Sequence, residues 1–192
     1  MTTFVLATHN AHKVVELRRI LGDRLGPHDL VGYDGPAPVE DGETFEANAL
    51  IKARAAHAHT GLPALADDSG IAVAALGGAP GIDSAHYSGQ RDDAANLNLL
   101  LRNLVGVADR NATFVCAAAL VDVQSEYTAR GEWPGDVLTE PAGAGGFGYD
   151  PIFRPEGETR SSAELSPAEK DADSHRARAF IALTTELRRR YG

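Results

Sequence analysis

Short apolar runs alternate along this sequence with segments of helical periodicity, and this alternation most constrains the fold. Each helix must bury one apolar face, so such interleaving predicts an α/β domain with a mixed sheet. At 192 residues the chain is long enough for a proper core, and we predict a single domain over residues 1–192. Strands are predicted at 4–7, 64–70, 71–76, 112–123 and 127–133, with the last two as an antiparallel pair, and helices at 14–21, 45–59, 92–104 and in the C-terminal segment to Arg190.

The charge balance disfavours polyanionic partners. Lys and Arg number 18 and Asp and Glu 27, so the formal net charge is −9. We therefore expect neither nucleic acid nor a membrane surface as a partner, although local cations can still bind a small phosphate ligand. A single cysteine, Cys116, excludes an intrachain disulfide, and the N-terminus lacks the pattern of a signal peptide, so we expect a cytoplasmic protein.

The stretch ALADDSG, residues 64–70, ends an apolar run in two adjacent carboxylates, Asp67 and Asp68. This pattern predicts a buried strand whose carboxyl end opens at Ser69 and Gly70, at the edge where α/β sheets place ligand chemistry. An ordinary solvated turn is the alternative, because Asp, Ser and Gly are common turn residues.

The loop between the first strand and the first helix has the composition of an anion site. It reads Thr8-His9-Asn10-Ala11-His12-Lys13, which places a hydroxyl, an amide and an ammonium at a helix N-terminus. Exposed backbone N–H groups and the helix dipole attract phosphate there. The alternative is a plain capped helix with Lys13 in solvent.

Acidic residues also precede the second helix. Glu40, Asp41 and Glu43 lie there, and a hard cation such as Mg²⁺ needs only one or two carboxylates besides water and substrate phosphate. The helix dipole alone accounts for Glu43. Glu40, which lies outside the helix, is the better candidate ligand.

The loop at residues 143–151 is rich in glycine around one aromatic residue, Phe147, and ends in Tyr149-Asp150-Pro151. Glycines allow a backbone to approach a ligand closely, and Phe147 offers a flat face on which a purine could stack. A packing loop with Phe147 in the core is the alternative.

The C-terminal region carries three cations: Lys170, His175 and Arg176. One unbroken helix would place Lys170 and His175 about 140° apart at roughly 100° per residue, so it could not direct both at one ligand. We therefore predict a short capped turn over Ser166–Lys170, a break at Asp171–Asp173, and a main helix that begins at Ser174. A single long helix with solvated cations is the alternative.

Seven stretches, in this order, resemble the non-canonical purine nucleoside triphosphate pyrophosphatases, the inosine triphosphatase-like or Ham1-like enzymes. They are ATHNAHK, TFEANALIKA, ALADDSG, LGGAPGIDSA, GEWPG, GGFGYDPIF and LSPAEKDADSHRARA. The resemblance implies an elongated fold with two lobes around a central cleft, a homodimer, and Mg²⁺-dependent hydrolysis of dITP, ITP and XTP to the monophosphate and pyrophosphate.

The resemblance also implies a role for individual residues. The catalytic base would be Asp68, and the metal ligands would be Glu40 and Asp68. The substrate would be bound by Thr8, His9, Asn10, Ala11, His12, Lys13, Ser69, Phe147, Gly148, Tyr149, Asp150, Lys170, His175 and Arg176. Lys52 would reach the phosphates. The sequence departs from the family pattern at His86, where an arginine is common.

Three other functions fit the same residues. A phosphomonoesterase could use Asp67 or Asp68 as a nucleophile to form an aspartyl-phosphate. A related pyrophosphatase could have a different base preference. A nucleotide sensor could bind without catalysis.

Overall fold

The computed structural model describes all 192 residues and shows one six-stranded mixed sheet with helices, which confirms the predicted fold class. The strands, in the spatial order β2-β1-β3-β4-β5-β6, are β1 (Thr3–Leu6), β2 (Asp29–Gly32), β3 (Ala64–Val73), β4 (Asn111–Val121), β5 (Glu126–Val137) and β6 (Phe153–Pro155). The helices are α1 (Ala11–Leu21), α2 (Phe45–Thr60), α3 (Asp93–Asn103), α4 (Pro167–Asp173) and α5 (His175–Tyr191).

Parallel and antiparallel pairing both occur in this sheet. β1 pairs in parallel with β2 and with β3, whereas β5 and β6 are antiparallel. The neighbours β4 and β5 are joined through residues 122–125, where the Asp122 amide donates to the Ser125 carbonyl at 3.2 Å. So short a connection makes an antiparallel hairpin, as predicted.

Capping residues set the helix ends close to where the sequence predicts them. Asn10 accepts hydrogen bonds from the amides of His12 and Lys13 at the start of α1, and Thr44 accepts from Ala47 at the start of α2. Gly61 ends α2 with a φ of 70°, in the left-handed region that favours glycine. The main C-terminal helix begins after Ser174, its N-cap, so a break between Lys170 and His175 is confirmed. Its predicted place at Asp171–Asp173 is wrong, because α4 continues through these residues and only Ser174 lies between the two helices.

The predicted strand end at Gly70 is wrong. The sequence predicts separate strands over residues 64–70 and 71–76, but β3 continues from Ala64 to Val73, and Ala74–Leu76 form a 3₁₀ turn. A strand can continue through Asp67 and Asp68 because lysine and arginine side chains neutralise both carboxylates, as described below.

The chain divides into two compact units. The first comprises Met1–Asp68, Cys116–Gly131 and Ser174–Gly192, and the second comprises Ser69–Val115 and Glu132–Asp173. The first has a core in which Phe4, Leu17, Leu65 and Phe180 are fully buried, and the core of the second includes Trp133 and Phe153.

The single domain over residues 1–192 and the two lobes around a cleft stay predictions. None of the helices is long and apolar enough to cross a membrane.

Gly131 in β5 allows the first turn of α5 to approach the strand. A Cβ atom at this position would lie 2.1 Å from the His175 carbonyl oxygen and 2.5 Å from the Ala179 amide nitrogen. Both neighbours are backbone atoms, which cannot rotate away. The glycine therefore fixes how closely His175 and Arg176 approach the sheet.

We predict that Gly131→Ala lowers the free energy of unfolding by about 1–3 kcal/mol, because the added methyl group clashes with the backbone of α5. Urea denaturation measures the change. Gly32→Ala is the matched control, since a Cβ atom at that strand position meets nothing within 4 Å. Equal stability of the two variants would show that α5 can shift to accommodate the methyl group.

Candidate active site

Two adjacent carboxylates in the middle of β3 have different partners. Successive side chains of a strand point to opposite faces, so Asp67 and Asp68 meet different elements. Asp67 contacts Lys13 of α1 and Arg176 of α5, whereas Asp68 contacts Lys52 of α2. All of these residues belong to the first unit.

Asp67 is the centre of a buried charge network. Its Oδ2 atom accepts from Lys13 Nζ at 2.8 Å and lies 3.4 Å from Arg176 Nε, while Arg176 Nη1 donates to Glu16 at 2.7 Å. Burial alone would raise the pKa of Asp67, but the charges of Lys13 and Arg176 outweigh it and hold the pKa well below its usual range. Asp67 is therefore a permanent anion committed to structural cations.

Asp68 has a more open environment. Its Oδ1 atom accepts from Lys52 Nζ at 2.8 Å, whereas its buried Oδ2 atom has no hydrogen-bond partner. Burial raises the pKa of Asp68, and the charge of Lys52 offsets this only in part. A carboxylate with a raised pKa and an unused oxygen atom is suited to accept a proton.

Lys52 also binds Glu40, through an Nζ–Oε2 distance of 2.8 Å. Burial would lower the pKa of Lys52, but Asp68, Asp67 and Glu40 outweigh it, so the pKa is raised and the ammonium stays charged. Glu40 and Asp68, far apart in sequence, are thus brought to the same ammonium group.

This pair of carboxylates fits the implied magnesium ion. The donors are hard oxygen atoms, and one of them, Asp68 Oδ2, is buried without a hydrogen bond. The chain offers no group of three or more His, Cys, Asp or Glu residues that could hold a metal alone. Mg²⁺ suits such a site, because it commonly takes one or two carboxylates and completes its shell with water and substrate phosphates.

The loop before α1 has the geometry of an anion site. Asn10 caps the helix and Thr8 Oγ1 accepts from the Asn10 amide at 3.2 Å, so the start of the helix lies at the end of β1. His9 is exposed and lies 2.9 Å from the Gly35 carbonyl oxygen through Nε2. The expected capped helix is present, but Lys13 is not solvated, since only 16% of its side chain is exposed.

In the second unit, Asp150 organises the glycine-rich loop from within. This buried carboxylate accepts from the Phe147 amide at 2.8 Å, from Ser162 Oγ at 2.9 Å and from Lys170 Nζ at 2.6 Å. Lys170 Nζ lies 5.2 Å from the centre of the Phe147 ring, within the range of a cation–π contact. Phe147 and Lys170 are thereby fixed relative to each other.

Two further contacts hold the same loop. The Gly148 amide donates to Asp93 at 2.9 Å, and the Tyr149 hydroxyl donates to the Ser84 carbonyl at 2.7 Å. Burial raises the pKa of Tyr149, so the phenol remains a donor. The loop is a rigid support for the Phe147 ring, which is only partly buried.

Comparison with known proteins identifies the family. The Ham1 family model matches residues 4–186. The dITP/XTP pyrophosphatase of Leifsonia xyli is 55% identical over 98% of this chain and 96% of its own length, and that of Mycobacterium tuberculosis H37Rv is 52% identical with the same coverage. The chain belongs to the Ham1 family.

Solved Ham1-family structures share its fold. A HAM1 protein from Coxiella burnetii superposes with a TM-score of 0.89 at 41% identity, covering 98% of this chain and 100% of that one. The structure of a nucleoside-triphosphatase / dITP/XTP pyrophosphatase from Mycobacterium abscessus superposes with a TM-score of 0.76 at 47% identity, covering 94% of this chain and 98% of that one. The resemblance inferred from the sequence motifs is confirmed.

The residues predicted for the site fall into two sets. One lies in the first unit and comprises Thr8, His9, Asn10, Ala11, His12, Lys13, Glu40, Asp68, His175 and Arg176. The other lies in the second unit and comprises Ser69, Phe147, Gly148, Tyr149, Asp150 and Lys170. Within the first set, Arg176 is almost completely buried against Glu16 and Asp67, so it is held by protein carboxylates. The role of each residue towards substrate stays a prediction.

Sequence reasoning missed three residues that support predicted site residues, each within its own unit. Glu16 binds Arg176, and Asp93 and Ser162 support the glycine-rich loop. Glu16 carried a detectable signal, because it lies on the buried face of α1 with Leu17 and Ile20, where a charge needs a partner. Asp93 and Ser162 carried none, since acids and serines at helix starts are common for capping alone.

Substitution of each aspartate by asparagine separates their structural roles. We expect Asp67→Asn to lower the free energy of unfolding at pH 7 by about 3–5 kcal/mol, because it leaves buried cations without their anion. Asp68→Asn should change it by less than about 1 kcal/mol, because the raised pKa shows that the folded state disfavours this charge.

Denaturant titration with circular dichroism measures both variants. The Asp67 contribution has a defined pH dependence: a lowered folded-state pKa gives stability above the ordinary aspartate pKa, lost as the pH falls below it. The difference in free energy of unfolding between wild type and Asp67→Asn should therefore become smaller in acid. Equal losses in the free energy of unfolding in both variants at pH 7 would contradict the structural role assigned to Asp67.

Proposed function

We propose that this Ham1-family protein hydrolyses non-canonical purine nucleoside triphosphates, namely dITP, ITP and XTP, to the monophosphate and pyrophosphate. The observation that carries the proposal is Asp68, a carboxylate of raised pKa with one oxygen bound to Lys52 and the other without a hydrogen bond. The names of the relatives, dITP/XTP pyrophosphatases at 52–55% identity, support it.

The loop before α1 binds the triphosphate in this proposal. Thr8, Asn10 and Lys13 provide a hydroxyl, an amide and a cation at the N-terminus of α1, with His9, Ala11 and His12 contributing the backbone of the same turn. Helix N-termini bind phosphate through exposed N–H groups and the helix dipole. Ser69, which follows Asp68 in β3, adds a hydroxyl.

Glu40 and Asp68 would hold Mg²⁺. When bound, the ion neutralises phosphate charge and polarises the phosphorus under attack. Phosphoryl transfer needs little covalent help from the protein, so positioning and charge neutralisation carry most of the rate. Lys13 and Lys52 add to this positive field.

Asp68 acts as the base in the hydrolytic step. The water oxygen forms a bond to the α-phosphorus, the bond from that phosphorus to the bridging α–β oxygen breaks, and pyrophosphate leaves with the electron pair. The proton released by the water passes to the Asp68 carboxylate, whose raised pKa suits it to accept a proton. The products are the nucleoside monophosphate and pyrophosphate.

In this proposal, stacking and hydrogen-bond donors recognise the purine nucleobase of the substrate. Phe147 supplies the stacking face on a loop that Gly148, Tyr149 and Asp150 shape. Lys170, His175 and Arg176 supply donors. A 6-keto purine presents an acceptor where adenine presents an amino donor, so adenine would leave buried donors unpaired. The homodimer and the cytoplasmic location stay predictions that rest on the family resemblance and the sequence.

The alternatives are less well supported. Asp67 is a poor nucleophile for an aspartyl-phosphate, because its side chain is completely buried and Lys13 and Arg176 bind its Oδ2 atom. A sensor without catalysis would have no need of a buried carboxylate with a raised pKa, since burying that charge costs stability.

Product analysis tests the reaction. Purified protein with ITP and Mg²⁺ should release IMP and pyrophosphate, resolved by ion-exchange chromatography and ³¹P NMR. Asp68→Asn should lower kcat by about 10² or more, the scale expected when a general base is lost, while the far-UV spectrum stays unchanged. Orthophosphate as the first product, or full activity in the variant, would refute the proposal.

The proposed base recognition makes a second prediction. Wild type should prefer ITP or XTP over ATP in kcat/KM by about 10² or more, because adenine leaves a donor unpaired. Arg176→Lys should narrow this ratio, since lysine keeps a positive charge beside Asp67 and Glu16 but loses the planar guanidinium.

Lys13→Met is the matched comparison for that measurement, because a phosphate contact carries no information about the base. It should lower kcat/KM for ITP and ATP by the same factor. An unchanged ITP-to-ATP ratio in Arg176→Lys, together with a uniform loss, would remove Arg176 from base recognition.

A further inference from the structure

Lys52 bridges the two carboxylates assigned to the metal. Its Nζ atom lies 2.8 Å from Glu40 Oε2 and 2.8 Å from Asp68 Oδ1. Only 14% of the Lys52 side chain and 13% of the Asp68 side chain are exposed, so solvent screens the Lys52–Asp68 contact poorly. One ammonium thus binds the same anionic pair that a divalent cation requires.

We propose that Lys52 competes with the divalent cation for Glu40 and Asp68, and that the substrate triphosphate relieves this competition by offering Lys52 another anion. The proposal rests on the assignment of Glu40 and Asp68 as metal ligands. It makes Lys52 the residue that couples metal binding to nucleotide binding.

Charge balance supports the competition. Two carboxylates and one ammonium sum to −1, and a divalent ion entering beside the ammonium would meet a like charge at short range. The ion must therefore displace Lys52 or bind against its repulsion. Binding of the metal alone is weakened in either case.

Lysine chemistry allows the exchange. Its ammonium is a compact point charge on a flexible stem and needs no fixed bidentate geometry, so it can turn from a carboxylate to a phosphate oxygen. Lys52 lies in the middle of α2, a helix held at both ends by Thr44 and Gly61, so the side chain can move while the backbone stays. The triphosphate brings enough negative charge to accept both Lys52 and the metal.

Metal titration without nucleotide tests the competition. Electron paramagnetic resonance of free Mn²⁺ gives the dissociation constant for the whole chain and its variants. Lys52→Met should bind Mn²⁺ at least about tenfold more tightly than wild type, because the competing charge is gone. Lys52→Arg, which keeps that charge, should show no tightening.

Lys13→Met controls for a general loss of positive charge, since Lys13 pairs with Asp67 rather than with Glu40 or Asp68. It should tighten Mn²⁺ binding less than Lys52→Met does. Thermal denaturation confirms that each variant is folded, and Lys52→Gln replaces Lys52→Met if the latter is not. Mn²⁺ binding to the folded variant that is equal to or weaker than in wild type would overturn the competition.

The coupling has its own measurement. The α,β-imido analogue of dITP should tighten Mn²⁺ binding in wild type by a factor about tenfold larger than in Lys52→Met, because only wild type has a lysine to release, and coupling between two ligands is reciprocal. Equal factors would overturn the coupling. Neither titration depends on turnover. Pyrophosphate release from ITP without these effects on Mn²⁺ binding would overturn the competition and coupling assigned to Lys52 and leave the proposed function intact. The absence of pyrophosphate release from ITP would refute the proposed function.

Discussion

The burial of Asp67 in the middle of β3 is the constraint on which the first unit depends. A buried carboxylate costs several kcal/mol unless cations and hydrogen bonds compensate it. Lys13 and Arg176 provide that compensation from α1 and α5, and Glu16 balances the second cation, so the four charges sum to zero. Two helices and one strand are thereby fixed to one another by polar groups as well as by the apolar core. The same network places the N-termini of α1 and α5 beside β3, where the proposed chemistry requires them.

The neutralisation of Asp67 leaves its neighbour available for a different task. Asp68 projects from the other face of β3, meets a single flexible ammonium, and keeps one oxygen atom without a hydrogen bond. Two identical residues, adjacent in sequence, thus differ in pKa direction because one has several structural cations and the other is chiefly desolvated. In this reading the strand supplies one structural and one reactive carboxylate. Environment, rather than residue type, separates the two roles.

Most of the elements could be predicted from the sequence, because their signals are local. The helices α1, α2, α3 and α5 follow apolar periodicity and end at their caps. Each of the seven family motifs is a continuous stretch of sequence. The choice between a strand and a turn at Asp67 could not be decided from the sequence, because the cations that permit the strand lie 54 and 109 residues away in sequence. Without them, two carboxylates followed by Ser69 and Gly70 have the composition of a turn. Tertiary charge compensation overrode local propensity at this point.

The same limit applies to the glycine-rich loop, where sequence composition indicates a ligand but not which residue contacts it. Asp150 has the chemistry to bind a nucleobase, yet it accepts hydrogen bonds from three groups of the protein: the Phe147 amide, Ser162 and Lys170. Its influence on a substrate is therefore exerted mainly through the Phe147 ring and the Lys170 ammonium, which it holds in place. A ring and a cation fixed before a ligand arrives need no reorganisation when it binds, so little binding energy is lost in ordering them. On this argument the loop contributes selectivity through its rigidity, and Asp150 contributes by supplying that rigidity.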